Sequence, residues 1–404
     1  MRPRQQLGVE AALKVTTEIG RFSIYSGAGK GKSAAALGVV LRSFGLGVAS
    51  NQKHRVALVR FLKGADRAYD EDAAIDAIRQ RYPHLLDTVR FGRSEYFGVE
   101  EIVESDKEEA VRGWQVATGM LLSGLYKVVV LDELNPVIDL GLLDVKDVLS
   151  ILKQRPNHVE VIITGRSPHP DLVAIAELHS EHNPHFLTSS TQETPITGLH
   201  LTIGPGKGKS TTALGYALRS VGRAFAGTDT RAVKIIQFLK GGAFGSYTED
   251  AALAALQDIG PGLVEHERYG RPVIIFKRLP AGVDPSQLRQ PIDYAYALSA
   301  FYSAIEAIKS GNYQMVILDE ILPVFDLDLL PDGPQQLLDA LESKSLTTAP
   351  GGYLRGAVHL TGRCWEENPQ TQKLLRACDS CTYIEGHKHY FNHDRDSRAP
   401  GIDL

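Results

Sequence analysis

The sequence predicts an α/β protein made of two copies of one unit, each a mainly parallel sheet flanked by helices. Three observations carry that prediction. A glycine-rich segment, Gly27-Ala-Gly-Lys-Gly-Lys-Ser33, recurs as Gly204-Pro-Gly-Lys-Gly-Lys-Ser210. Short β-rich apolar runs alternate with helical patterns around both segments, the pattern of strand–helix–strand units. Further motifs then return in the same order: Phe61-Leu62-Lys63-Gly64 as Phe238-Leu239-Lys240-Gly241, Leu131-Asp132-Glu133 as Leu318-Asp319-Glu320, and Thr164-Gly165-Arg166 as Thr361-Gly362-Arg363. The first two pairs lie 177 residues apart, the third 187 and the fourth 197. A duplication with two insertions in the second copy explains the growing offset. A period this long means duplicated domains, not a solenoid.

The elements follow in order. Phe22–Ser26, Val56–Leu62, Val128–Leu131 and Val159–Ile163 read as strands of the first copy. Leu199–Ile203, Val233–Leu239, Met315–Leu318 and Val358–Leu360 are their partners. Continuous apolar runs of this length suit strands covered on both faces. Lys32–Ser43 and Asp293–Lys309 carry helical patterns. The polar stretch Ser189–Thr197 marks the boundary, giving units at 1–190 and 191–404.

Composition narrows the function classes. The chain has 404 residues, 43% hydrophobic and 23% charged, which excludes a largely disordered protein. The formal net charge of −4 gives no general attraction to nucleic acid or anionic lipid, and neither is expected as a partner. No apolar run reads as long enough to span a bilayer. Three cysteines, all near the C-terminus, do not make a disulfide scaffold. The first twenty residues carry Glu10, Lys14 and Glu18 and lack the apolar block of a signal peptide, so a cytoplasmic location is expected.

Each glycine-rich segment follows a strand and opens a helix, the context of a P-loop. Gly27, Gly29 and Gly31, and likewise Gly204, Gly206 and Gly208, let consecutive backbone N–H groups converge on phosphate oxygens. The helix N-terminus adds its positive end. Lys32 and Lys209 are placed to reach the phosphates, with Lys30 and Lys207 beside them, and Ser33 and Ser210 to ligate Mg²⁺. The first position of the general pattern, normally glycine, is Ser26 in one copy and Ile203 in the other. The acidic pairs Asp132-Glu133 and Asp319-Glu320 end the third apolar run of each copy, where a Mg²⁺ ligand belongs. Strand alternation predicts that one carboxylate of each pair faces the phosphates and the other does not. Arg166 and Arg363 follow the last strand run and either contact nucleotide or close a turn.

The combination resembles the ATP:corrinoid adenosyltransferases of the BtuR/CobO/CobP type, arranged as a tandem fusion. That family's loop reads Thr-Gly-x-Gly-Lys-Gly-Lys-Thr-Thr. Gly204–Thr212, with Thr211 and Thr212, is closer to it than Gly27–Ala35, which has Ala34 and Ala35 there. Gln237-Phe238-Leu239-Lys240-Gly241 is similar to the family's second-strand motif, and the first copy has Arg60 in place of Gln237. Lys388-His389-Tyr390-Phe391 and Gly401-Ile402-Asp403-Leu404 resemble elements near the family's C-terminus.

The resemblance implies two RecA-like P-loop NTPase domains that bind MgATP. It also implies transfer of the 5′-deoxyadenosyl group to Co(I) of a corrinoid acceptor, such as cob(I)yrinic acid a,c-diamide or cobalamin, with release of triphosphate. Family units pair, so the fusion implies a pseudo-dimer within one chain, open to further self-association. Lys32 and Lys209 are the implied catalytic groups, the second copy the implied active half. One departure stands out. The family's Gly-Phe-Thr-Trp segment at the corrinoid aligns with Gly92-Arg93-Ser94-Glu95 and Gly270-Arg271-Pro272-Val273. Tyr96, Phe97 and Phe276 lie nearby and read equally as local packing. Arg93 and Arg271 suit phosphate contact or a solvated surface. The alternative function is therefore a nucleotide-binding regulatory or assembly protein, or a weak ATPase, without the corrinoid site. Cys378 and Cys381 have zinc-like spacing, with Cys364, His387, His389 and His393 around them, or stand as apolar replacements in a strand.

Overall fold

The first strand, Phe22–Ser26 (β1), runs straight into the glycine loop, and Lys32–Ala49 (α1) leaves it. The helix starts there because Gly31 adopts φ 102°, a left-handed conformation that side chains resist. The first half continues through Val56–Arg60 (β2), Asp72–Arg81 (α2), Leu86–Arg90 (β3), Glu104–Leu122 (α3) and Val128–Asp132 (β4). Leu134–Asp139 (α4), Val145–Gln154 (α5), Glu160–Thr164 (β5), Pro170–Ile175 (α6) and Leu178–Pro184 (β6) complete it. The second half repeats the plan with Ile196–Ile203 (β7), Lys209–Phe225 (α7), Ala232–Gln237 (β8), Thr248–Ile259 (α8), Val264–Arg268 (β9) and Pro291–Ser310 (α9). Tyr313–Asp319 (β10), Ile321–Asp326 (α10), Gly333–Lys344 (α11), Ala357–Gly362 (β11), Pro369–Ala377 (α12) and Cys378–Lys388 (β12) follow. This computed structural model describes residues 19–50, 54–64, 67–93, 97–185, 196–242, 247–279, 282–344, 356–363 and 368–388. Most of the proposed boundary stretch, and the elements from His389 onward, lie outside them.

Among the described residues, twelve strands form one sheet in the order β3-β2-β4-β5-β1-β6-β12-β7-β11-β10-β8-β9. The order is symmetric about its middle. Every pair is parallel except β6 with β12, which meet antiparallel. Each half is thus the mainly parallel α/β unit that the apolar runs predict. The two halves are not separate bodies, because one sheet runs through both.

They also share a core. On one face of the sheet a single buried cluster joins Leu37, Val40, Leu41 and Phe44 of α1 to Leu214, Ala217, Leu218 and Val221 of α7. On the other face each half has its own cluster. Helices α1 and α7 touch backbone to side: a Cβ on Gly38 would lie 1.8 Å from the Thr211 carbonyl, and one on Gly215 equally close to that of Ala34. Helix α1 has the length and apolarity to cross a membrane, a run the sequence reading passed over. It is instead largely buried between the halves. Composition alone cannot separate such a core helix from a span.

Two strand pairs were missed from the sequence. β3 and β9 are edge strands of mixed, half-buried residues, and β6 and β12 are rich in His, Glu and Ser. Neither carries the apolar run that marks a strand covered on both faces.

Candidate nucleotide site

Both glycine loops have the same internal geometry. Gly27 and Gly31 have φ 102°, Gly204 110° and Gly208 109°. The Gly29 amide donates to the His182 carbonyl at 2.7 Å, and the Gly206 amide to that of Ile384 at 2.9 Å. Strands β6 and β12 therefore hold the loops from behind. Lys32 Nζ donates to the Gly29 carbonyl at 2.7 Å and Lys209 Nζ to that of Gly206 at 2.8 Å. Each lysine is the first residue of its helix, curled over its own loop.

Beneath each loop lies a buried polar cluster. Lys63 Nζ donates to Asp132 Oδ2 at 2.6 Å, and Thr164 Oγ1 to Asp132 Oδ1 at 2.6 Å. In the second half Asp319 accepts from Lys240 Nζ at 2.7 Å, from Thr361 Oγ1 at 2.6 Å and from Gln237 Nε2 at 3.0 Å. Lys240 also reaches Ser210 Oγ at 3.3 Å. The lysines are aimed by the residues before them, Leu62 and Leu239, at φ 52° and 56°. Such strain in a bulky residue persists only when its surroundings impose it. Here Gly92 and Gly270 leave room for those leucines: a Cβ on either would approach leucine backbone to about 3 Å. Burial opposes ionisation of Asp132 and Asp319, yet the adjacent lysines and hydroxyls keep both ionised, Asp132 at about 2 and Asp319 lower still.

The acidic pairs depart from strict alternation. Asp319 sits below the loop, bonded to Ser210, while Glu320 lines the cleft above it. Both carboxylates of the pair are on the loop's side because Glu320 has left the strand: it adopts φ 62° and caps α10, as Glu133 does for α4. Period-two reasoning holds only while the chain stays extended. Burial raises the pKa of Glu320, and Asp319 raises it further; Glu133 behaves alike beside Asp132.

The cleft of the second half measures about 240 Å³. Residues 205–211, Lys240, Tyr247, Glu320 and Arg363 line it, with Arg42 contributed by the first half. Arg42 donates to Thr211 Oγ1 at 3.3 Å and pairs with Glu249 at 3.0 Å. Its counterpart Arg219 crosses the other way to Glu71, at 3.1 Å. No hydroxyl awaits Arg219 at Ala34, however, and Arg60 also approaches Glu71, at 3.7 Å, and pairs with Asp72 at 2.7 Å. The first loop is more crowded. A Cβ on Gly31 would meet Thr212 at 3.1 Å, His182 at 3.3 Å and the Tyr216 hydroxyl at 3.7 Å. At Gly208 the nearest atom is Tyr25, at 3.5 Å.

The structure brings together the second loop's predicted residues, Gly204, Gly206, Lys207, Gly208, Lys209, Ser210 and Thr211, with Asp319, Glu320 and Arg363. The first loop's Gly27, Gly29, Lys30, Gly31, Lys32 and Ser33 stand likewise with Asp132 and Glu133, and Arg166 lies within electrostatic reach of Lys32. Sequence reasoning missed Lys63, Lys240, Thr164 and Thr361 as site residues, although all four lie in repeated motifs. It also missed Arg42, which comes from the partner half, and Tyr247, which lies beside Lys240 of its own half. Arg93 and Arg271 are half-buried and held in ion pairs. They pair with Asp106 and Asp293 at 3.0 and 2.7 Å, tying their loops to the starts of α3 and α9. Phe97 is buried beneath Arg93, as local packing requires. Tyr96 and Cys364 lie outside the described residues. Cys381 is buried in the second half's apolar cluster with Cys378 packed against it, where the apolar-replacement reading puts them; His389 and His393, like Cys364, lie outside the described residues.

Burial pushes the Lys209 ammonium down to about 8, Arg363 and Lys207 adding to the effect against Glu320. A bound triphosphate would favour the charged form and raise that value. Nucleotide affinity should therefore be level below about pH 8 and fall above it, by up to about tenfold per unit, until the bound lysine's pKa is reached. Titration of ATP binding between about pH 7 and about pH 9.5 checks this, with Lys209→Arg, always charged, losing the slope. An unchanged slope in that variant would assign the titration elsewhere.

Paired glycine loops, each over a Lys–Asp–Ser cluster at the C-terminal ends of parallel strands, define a protein of the α/β P-loop class. The ATP:corrinoid adenosyltransferase BtuR/CobO/CobP family matches residues 18–187 and again 197–404, and the chain belongs to that family. It is 46% identical over 404 residues to the uncharacterized protein all2391 of Nostoc sp. (strain PCC 7120), covering 99% of this chain and 100% of the relative. The corrinoid adenosyltransferase of Pseudomonas aeruginosa is 31% identical over 172 residues, 43% of this chain and 79% of that protein. Corrinoid adenosyltransferase CobA of Salmonella typhimurium is 31% identical over 167 residues, 41% of this chain and 78% of its own length. These two enzymes thus correspond in extent to about one half of the fused chain.

Proposed function

We propose that the chain transfers the 5′-deoxyadenosyl group of ATP to Co(I) of a corrinoid in the cytoplasm, releasing triphosphate, with the second loop as the working site. The observation that carries this reading is the cleft over that loop, where Arg42, Lys207, Lys209, Lys240 and Arg363 converge. Attack of the cobalt lone pair on C5′ breaks the C5′–O bond, and the bonding electrons leave with the triphosphate. No general base is required. The demand is for positive charge fixed in advance where negative charge develops, and this cleft supplies it. Lys209 and the loop amides would hold the phosphates, with Arg363 at the rim. Thr211 would fix Arg42 against the loop.

A Mg²⁺ ion would neutralise part of the triphosphate charge. Ser210 Oγ and the Glu320 carboxylate fit it, with Asp319 acting from behind, since Lys240, Gln237 and Thr361 already bond its oxygens. Ser33, Glu133 and Asp132 form the matching set at the first loop. The shared sheet and core support the reading of the chain as a pseudo-dimer.

One observation favours the regulatory or assembly alternative. The segments that align with the family's aromatic one, Gly92–Glu95 and Gly270–Val273, carry no aromatic pair in sequence, and their arginines are held by Asp106 and Asp293. Incubation with ATP, Mg²⁺ and a chemically reduced corrinoid separates the two readings. Formation of the cobalt–carbon bond, followed by absorbance, together with stoichiometric triphosphate, is the expected result. ATP binding without either product would leave the alternative standing.

A further inference from the structure

The seam between the halves carries a side-chain cluster that the nucleotide chemistry does not use. Glu181 of β6 and Glu385 of β12 stand directly opposite in the antiparallel register. Like charges in such a cross-strand pair are destabilising unless something neutralises them. The nearby Lys388 is turned away, its Nζ donating to the Val173 and Ala174 carbonyls at 2.7 and 2.8 Å. His387 lies against the pair instead, its Nε2 2.5 Å from Glu181 Oε2. One donor atom from each of Glu181, Glu385 and His387 falls within 4.8 Å of the others.

A fourth residue adds an independent observation. The His179 ring lies beside that of His387, with centroids 5.0 Å apart. His179 is only 7% exposed. Its Nε2 bonds Ser26 Oγ at 2.8 Å, while its Nδ1 is buried without a hydrogen-bond partner. An orphaned ring nitrogen in such a place is costly and calls for an occupant.

We propose that Glu181, Glu385 and His387, with His179 packed beside them, form a binding site for a divalent transition-metal ion of the Zn²⁺ class that bridges the two halves. Imidazole mixed with carboxylate suits Zn²⁺ and its neighbours, whereas Mg²⁺ takes oxygen alone. Tetrahedral bonds of about 2.0–2.1 Å put donor atoms a little over 3 Å apart, a modest contraction of the present spacing. One ligand comes from β6 and two from β12, so the ion would cross-link the antiparallel seam. The opposite position on the seam pairs Tyr383 with Asn183, which places the site on one side only. The proposal does not depend on the adenosyltransferase reading.

The test uses the full-length chain, stripped with chelator and free of nucleotide. Calorimetric titration with Zn²⁺ should show one equivalent bound, and Zn²⁺ should raise the thermal midpoint by linkage. Glu385→Gln combined with His387→Ala should weaken binding at least about 10-fold, the loss that even outer partners of a metal site produce. The double variant should lose the midpoint shift while keeping its metal-free midpoint, since both residues are exposed. Cys378→Ser with Cys381→Ser should leave the Zn²⁺ affinity unchanged, and Co²⁺ should give a spectrum without thiolate charge transfer. The proposal is overturned by absence of saturable binding, by unchanged affinity in the Glu385/His387 variant, or by a thiolate band abolished in the cysteine variant.

Discussion

Lys209→Ala lowers adenosyl transfer at least about 100-fold, whereas Lys32→Ala leaves it within about threefold. The first figure is the usual cost of removing one preorganised donor from developing anionic charge. Lys209 is that donor in the cleft, where Thr211 holds Arg42 and Arg363 stands at the rim. The two lysines are superficially equal, since each curls onto its own loop carbonyl. Their surroundings differ. Thr212, His182 and Tyr216 crowd the first loop, and Ala34 stands at the counterpart of Thr211, which bonds Arg42. Initial rates of cobalt–carbon bond formation for the two variants, with thermal midpoints to confirm folding, check the assignment. A large loss in Lys32→Ala alone would move the working site to the first half.

Separating the halves has the larger structural effect. A chain ending at Thr188 is expected in the insoluble fraction or as a self-associated species, and co-expression with the second half restores a soluble one-to-one pair. Alone, the first half presents β6 as an open edge, a template for pairing with other chains. It also bares α1, whose Leu37, Val40, Leu41 and Phe44 lose the α7 residues that cover them. Each such side chain contributes roughly 1.5–3 kcal/mol by burial, so losing even a few consumes most of a domain's stability. Arg42 and Glu71 lose their cross-half partners Glu249 and Arg219 as well. Size-exclusion chromatography and the soluble fraction decide the matter. A monomeric first half with a cooperative melt would show that the shared core is dispensable.

The sequence made some of this legible and hid the rest for physical reasons. Central strands β1, β2, β4 and β5 and their partners announce themselves because helices cover both faces, leaving no room for polar residues. The glycine loops are legible because their left-handed turns admit little else. β6 and β12 stay hidden because the seam they form carries charged and hydroxyl groups, Glu181 and Glu385 among them. Lys63 and Lys240 were visible as repeated letters but not as site residues. Their role depends on Leu62 and Leu239 adopting a conformation no propensity favours. Arg42 was beyond reach altogether, since its partners lie about two hundred residues away in the other half. The acidic pair shows a subtler limit: Asp132 and Asp319 obey the strand, and Glu133 and Glu320 do not, because the strand ends between them.

The crossing of α1 and α7 has a further consequence. Each helix opens at its own phosphate loop and, ten residues on, presents the arginine that belongs to the other; at 1.5 Å per residue that is a span of about 15 Å. Each helix therefore acts as a gauge rod, its pitch setting the spacing of two sites at once. Adding or removing one residue would turn the far end by about 100° and misplace an arginine in the opposite half. The record of the duplication agrees. From the glycine loops through Lys63 and Lys240 the copies keep their offset of 177, and both insertions fall later in the second half, where no dimension is shared between the sites.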